Sequence, residues 1–98
     1  MSHKLTPEAH TQALSSLEGW EHDAEDDAIS KSLQFADFKE AFAFMTQVAM
    51  EAEKIGHHPD WCNAYNQVHV VLTTHDVEGL SERDIELARY IDRIAQQH

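Results

Sequence analysis

The chain has 98 residues, 42% of them hydrophobic and 26% charged, which is the balance of one globular domain and too short for two. A chain of this length buries roughly 60–65% of its unfolded surface, enough for one core without a disulfide or metal staple. Seven Lys and Arg against 18 Asp and Glu give a formal charge of −11, a field that repels phosphate backbones and anionic lipid heads and excludes direct nucleic-acid binding.

The longest apolar run, Ala41 to Met45, has five residues, against the roughly 20 needed to cross a bilayer. Lys4 and Glu8 interrupt any secretory h-region, and the single cysteine, Cys62, has no intrachain partner. These features point to a cytoplasmic protein with no membrane segment.

Thr6-Pro7-Glu8 reads as a helix start: Thr6 caps, Pro7 fits the first helical position and Glu8 meets the positive dipole end. The helix runs to about Leu17, with Ala9, Ala13, Leu14 and Leu17 inward, and Gly19 stops it. Trp20 opens a short strand. The carboxylates between Glu18 and Asp27 read as a solvated hairpin turn, because a calcium loop needs an alternation and a Gly that this stretch lacks.

Ile29, Lys31, Leu33 and Phe35 alternate with Ser30, Ser32 and Gln34, the period of a strand. Phe38, Ala41, Phe42, Met45, Val48, Ala49, Ala52 and Ile55 then recur at steps of three and four, predicting the longest helix, which Gly56 ends; Phe44 lies off this stripe. A short strand near Cys62 to Tyr65, a turn at Asn66 and a strand from Val68 to Thr74 follow. Ser81-Glu82-Arg83-Asp84 resembles a capping box, and Leu87, Ala88, Ile91, Ile94 and Ala95 form the buried stripe of a last helix. The predicted fold is α+β, order α-β-β-α-β-β-α, a four-stranded antiparallel sheet covered on one face by three helices.

Eight histidines exceed what a domain of this size needs, and His57, His58 and His75 are the ones whose placement suggests chemistry. Pro59 holds His58 out of the α region, and His75 ends a strand, where its ring can reach across the sheet edge. Arg83 lies near the start of the last helix and can aim a permanent charge at the same end. His3, His10, His22 and His98 read as ordinary surface residues, and His69 as structural. Adjacent residues such as His57 and His58 diverge in extended backbone, and there is no HxxxH or CxxC pair, so no metal is assigned. Imidazole titrates near neutrality, which fits acid–base work. Trp61 either anchors its loop in the core or stacks on a ligand. Arg83 either holds a carboxylate that shapes the site or pairs with Asp84 or Glu86.

The stretch Glu53-Lys54-Ile55-Gly56-His57-His58-Pro59-Asp60-Trp61 resembles the signature of pterin-4a-carbinolamine dehydratases, some of which also act as a dimerisation cofactor of a homeodomain transcription factor. The resemblance continues through Asn63-Ala64-Tyr65-Asn66, Val68-His69, Thr74-His75 and Gly79-Leu80-Ser81-Glu82-Arg83-Asp84, and covers essentially the whole chain as a single domain, 1–98. It implies a hydro-lyase that dehydrates 4a-hydroxytetrahydropterin to quinonoid dihydropterin in recycling for aromatic amino acid hydroxylases, with no cofactor. By this resemblance His57, His58, His75 and Arg83 are the catalytic residues, and His57, His58, Pro59, Asp60, Trp61 and His75 bind substrate. Glu53 and Asp84 belong to the surrounding motif. The long helix, 38–55, would carry the contacts of a homodimer or homotetramer. The alternative is a helix-mediated binding module without a catalytic role.

Overall fold

The computed structural model describes residues 3–98. The element order is α1 (Pro7–Ser16), β1 (Glu21–Asp23), β2 (Ala28–Gln34), α2 (Phe38–Ile55), β3 (Asp60–Ala64), β4 (Gln67–Leu72), a 3-10 turn (His75–Val77) and α3 (Glu82–Ala95). The four strands form one antiparallel sheet in the order β1-β2-β4-β3. The α-β-β-α-β-β-α reading therefore holds, with strand ends shifted by a residue or two.

Register explains which face is dry. Ile29, Lys31 and Leu33 of β2 stand opposite Leu72, Val70 and Val68 of β4, and Trp61 of β3 stands opposite Val70. Ile29, Val68, Val70 and Leu72 are buried in one cluster with Ala41, Phe44, Val48 and Ala52 of α2 and Ile85, Leu87, Ala88 and Ile91 of α3. The other face carries Ser32, His69, Cys62 and Ala64, all exposed, so the helices cover one side only. Lys31 would be out of place on the inner face but for its partners: its Nζ donates to Asp92 Oδ1 (2.9 Å) and to the Glu18 carbonyl (3.2 Å), and Trp20 Nε1 donates to the same Asp92 carboxylate.

Helix α2 corrects one expectation. Phe44 is fully buried, whereas Phe38 and Phe42 are 49% and 55% exposed. The apolar residues form a band wider than one contact face. Ala41, Phe44, Val48 and Ala52, themselves at steps of three and four, take the sheet, and Phe38 and Phe42 are left outside. Helix α1 is anchored more lightly. It has no buried residue, and Ala13 and Leu14 only abut the core.

Two turns bear on the sites below. Gly56 ends α2 with φ +68, and the N–H groups of Gly56 and His57 return to the carbonyls of Glu53 and Ala52, a Schellman-type stop that only glycine adopts without strain. In the β1–β2 hairpin Asp27 has φ +48, and its Oδ2 accepts from Leu80 N–H (3.1 Å). Burial pulls the Asp27 carboxyl upward, but hydrogen bonds from His22, Leu80 N–H and His10 outweigh it and hold the group at about 2. Among the described residues no helix is long and apolar enough to cross a membrane.

Candidate active site

The Schellman stop delivers His57 beneath the end of α2, with its backbone N–H on Ala52 O at 3.0 Å and its side chain turned toward the start of α3. Its Nε2 donates to Asp84 Oδ1 at 2.5 Å. Asp84 is fully buried and its other oxygen accepts from Thr74 Oγ1 (2.7 Å) and from Ser81 N–H (2.9 Å). Thr74 has one hydroxyl proton and gives it to the carboxylate, so the 2.6 Å contact between Thr74 and Ser81 is donated by Ser81. The capping box expected at Ser81–Asp84 is present, and its carboxylate serves the helix N-terminus and His57 at once.

The other two histidines stand at the rim. His58 Nε2 lies 2.9 Å from Glu53 Oε1, and His75 Nε2 lies 3.7 Å from Asp60 Oδ2, with all four side chains mostly exposed. Each of the three imidazoles therefore has its own carboxylate: Asp84, Glu53 and Asp60. Only the buried pair is shielded from solvent, so only it is fixed strongly; the rim pairs are screened and free to reorient.

His57, His58, Pro59, Asp60, His75 and Arg83 line one cleft of about 290 Å³, with Thr73, Thr74 and Asp76 completing its wall. This is close to the roughly 300 Å³ at which small-molecule sites begin. Trp61 does not line it. The strand alternation turns its ring to the helix side, where it packs half-buried against the core, so of its two readings the anchor is the one the geometry carries. Arg83 takes neither of its expected partners: Asp84 is turned inward, and Arg83 Nη1 donates instead to the Gly56 carbonyl at 3.5 Å, near the negative end of the α2 dipole. From sequence Ser81 reads only as a helix cap and Thr74 only as a motif residue; their hydrogen bonds around the carboxylate that holds His57 come from the fold.

Comparison with known proteins identifies the family. The sequence model of the pterin 4 alpha carbinolamine dehydratase family matches residues 3–94. A protein of Burkholderia vietnamiensis, provisionally named pterin-4-alpha-carbinolamine dehydratase, is 55% identical over 94 residues, covering 96% of this chain and 92% of that one. One of Burkholderia pseudomallei with the same provisional name is 53% identical over 96 residues, with 98% and 95% covered. A crystal structure of a transcriptional coactivator/pterin dehydratase from Brucella melitensis superposes with a TM-score of 0.90 at 46% identity, over 95% of this chain and 99% of that one. A pterin dehydratase-like protein identified as a RuBisCO assembly factor in the alpha-carboxysome shares the fold, with a TM-score of 0.70 at 22% identity over 80% and 90% of the two chains. With the match running nearly end to end, and the motif histidines lining one cleft, the chain belongs to the pterin 4 alpha carbinolamine dehydratase family.

Proposed function

We propose that the chain, as one domain spanning 1–98, is a hydro-lyase that converts a 4a-hydroxytetrahydropterin to the quinonoid dihydropterin, in recycling for aromatic amino acid hydroxylases. The observation that carries the reading is the single cleft lined by three imidazoles, each beside a carboxylate.

In the substrate the ring nitrogen next to the carbinol carbon pushes with its lone pair, the C–O bond breaks, and the C=N bond forms. Hydroxide leaves poorly, so one imidazolium gives it a proton and water departs. The positive charge left on the ring is discharged when a second, neutral imidazole takes the proton from that nitrogen. One proton is given and one taken, so the two histidines end with their roles exchanged and proton transfer through solvent resets them. His57 spends Nε2 on Asp84, which leaves Nδ1 for the substrate; His75, exposed at the rim, is the partner across the cleft. His58 orients the ring by hydrogen bonding, and Arg83 keeps a positive charge beside the cleft wall. Each acid–base group contributes about 10²- to 10⁴-fold in rate. The test is a stopped-flow or hydroxylase-coupled dehydration assay of wild type, His57→Ala and His75→Ala. Full turnover in both variants sinks the assignment.

A second reading has its own support. Phe38 and Phe42 stand exposed on α2, and the Brucella relative is described as a transcriptional coactivator as well as a pterin dehydratase. That face would join copies of the chain into a dimer or tetramer, or take a partner's helix. An adaptor alone would bind such a helix while failing to dehydrate a 4a-hydroxypterin.

A further inference from the structure

A second cluster of ligating atoms, none of them from a residue lining the cleft, lies at the opposite end of the β1–β2 pair from Phe35. His10 comes from α1, His22 from β1 and Asp27 from the hairpin turn. His10 Nε2 and His22 Nε2 are 3.1 Å apart, and Asp27 Oδ1 is 3.0 Å from the first and 2.8 Å from the second. The three atoms make a nearly equilateral triangle.

Hydrogen bonding cannot satisfy that triangle. A carboxylate brings no proton, and each imidazole brings at most one through Nε2. If both nitrogens are protonated and donate to Asp27, they face each other as two donors. If only one is, the other nitrogen turns its lone pair toward a carboxylate oxygen. One edge always sets like against like. A cation above the plane removes the conflict, because it takes a lone pair from all three. Ligand atoms held about 2.1 Å from an ion at right angles stand about 3.0 Å apart, the spacing seen here.

The surroundings suit an ion. Asp27 Oδ2 is held by Leu80 N–H, which aims Oδ1 at the histidines, and Thr73 Oγ1 fixes the turn through the Asp27 carbonyl (3.0 Å). The two rings meet edge-on at 76°, with both Nε2 atoms within 3.1 Å of each other and of Asp27 Oδ1. The ligand side chains are only 19–25% exposed, which leaves a path from solvent, and the same hairpin carries Glu21, Asp23, Glu25 and Asp26, which make its field negative. His10, His22 and Asp27 share no motif spacing, and each histidine taken alone reads as a surface residue.

We propose that His10, His22 and Asp27 form a two-histidine, one-carboxylate site for a divalent first-row transition cation, which ties the lightly anchored α1 to the β1–β2 hairpin. The role is structural and separate from the dehydration site. Co²⁺ and Zn²⁺, added singly to the full chain, are the probes. Co²⁺ should bind one per chain with its d–d absorption shifted and strengthened relative to the aqueous ion, and Zn²⁺ should raise the melting temperature as its concentration rises. His10→Ala, a change helix α1 accepts readily, and His22→Gln should each weaken Co²⁺ binding by more than about tenfold while keeping the far-UV circular dichroism. A His58→Ala/His75→Ala double variant should bind Co²⁺ as the wild type does. The proposal is overturned if the Co²⁺ d–d spectrum stays that of the aqueous ion, if both His10→Ala and His22→Gln retain wild-type binding, or if only the double variant loses it.

Discussion

Replacing Asp84 by Asn tests whether the buried carboxylate holds His57 in its working state. The side chain keeps its shape and loses its charge. Its remaining oxygen can still accept from Thr74 and Ser81 N–H, at the 2.7 and 2.9 Å contacts, which puts the new NH₂ against His57 Nε2, now 2.5 Å from a carboxylate oxygen. Two donors then face each other unless the ring moves its proton to Nδ1. The charge-assisted bond to His57 is worth about 1.5–3 kcal/mol. Losing the anion at the N-terminus of α3 adds about 0.3–1 kcal/mol. The sum is about 2–4 kcal/mol, within the stability of a small domain, and corresponds to roughly 10–25 °C in melting temperature. Urea unfolding followed by Trp20 and Trp61 fluorescence measures the first effect. For the second, the ring turned to its other tautomer, and without the anion that stabilises its charged form, can no longer exchange a proton with the substrate through Nδ1 as proposed, so the dehydration rate should fall about 10²- to 10⁴-fold. Adding His57→Ala to Asp84→Asn should then cost little further rate, because the two act as a unit. A variant within about 0.5 kcal/mol of wild type and unchanged in rate would refute the reasoning.

Three further outcomes are expected. His75→Ala should lose rate by about 10²-fold or more with the melting temperature unchanged, because the side chain is 81% exposed and supports nothing in the core; a parallel fall in stability would contradict this. Phe42→Glu should shift the particle to a smaller size in light scattering without changing circular dichroism, and an unchanged mass would take α2 out of the subunit contact. Gly79→Ala would bring a methyl group onto Asp27 Oδ2 and Lys4 Cε, and Asp27 cannot retreat without releasing Leu80 N–H. It should lower urea-derived stability by about 1–3 kcal/mol and weaken Co²⁺ binding; tolerance of Ala with neither effect would show that the carboxylate is free to move.

Elements whose residues repeat at one clear period were legible from sequence: β2 and β4 by alternation, α3 by its stripe and cap. Helix α2 was legible in extent but not in orientation, because a broad apolar band satisfies steps of three and four about more than one axis, and only the sheet decides that Phe44 goes in and Phe42 stays out. The motif located His57, His58 and His75 but could not assign their carboxylates. Asp84 is 27 residues from His57 and is reached only after the hairpin and turn have folded back. The His10–His22–Asp27 triangle was least legible, since it depends on how α1 lies against the hairpin and not on local spacing.

The segment that presents His75 is closed at its own neck. Thr74 and Gly79 exchange both backbone hydrogen bonds, at 2.9 and 3.2 Å, so the residues between them project as a small handle whose base is already tied. The imidazole of His75 at the rim can thus be re-aimed, or the handle lengthened, by exchanging positions 76–78 alone. Thr74 is the boundary of that freedom, because its hydroxyl belongs to the Asp84 network. A library confined to those three positions would explore new ring-shaped substrates on an undisturbed scaffold.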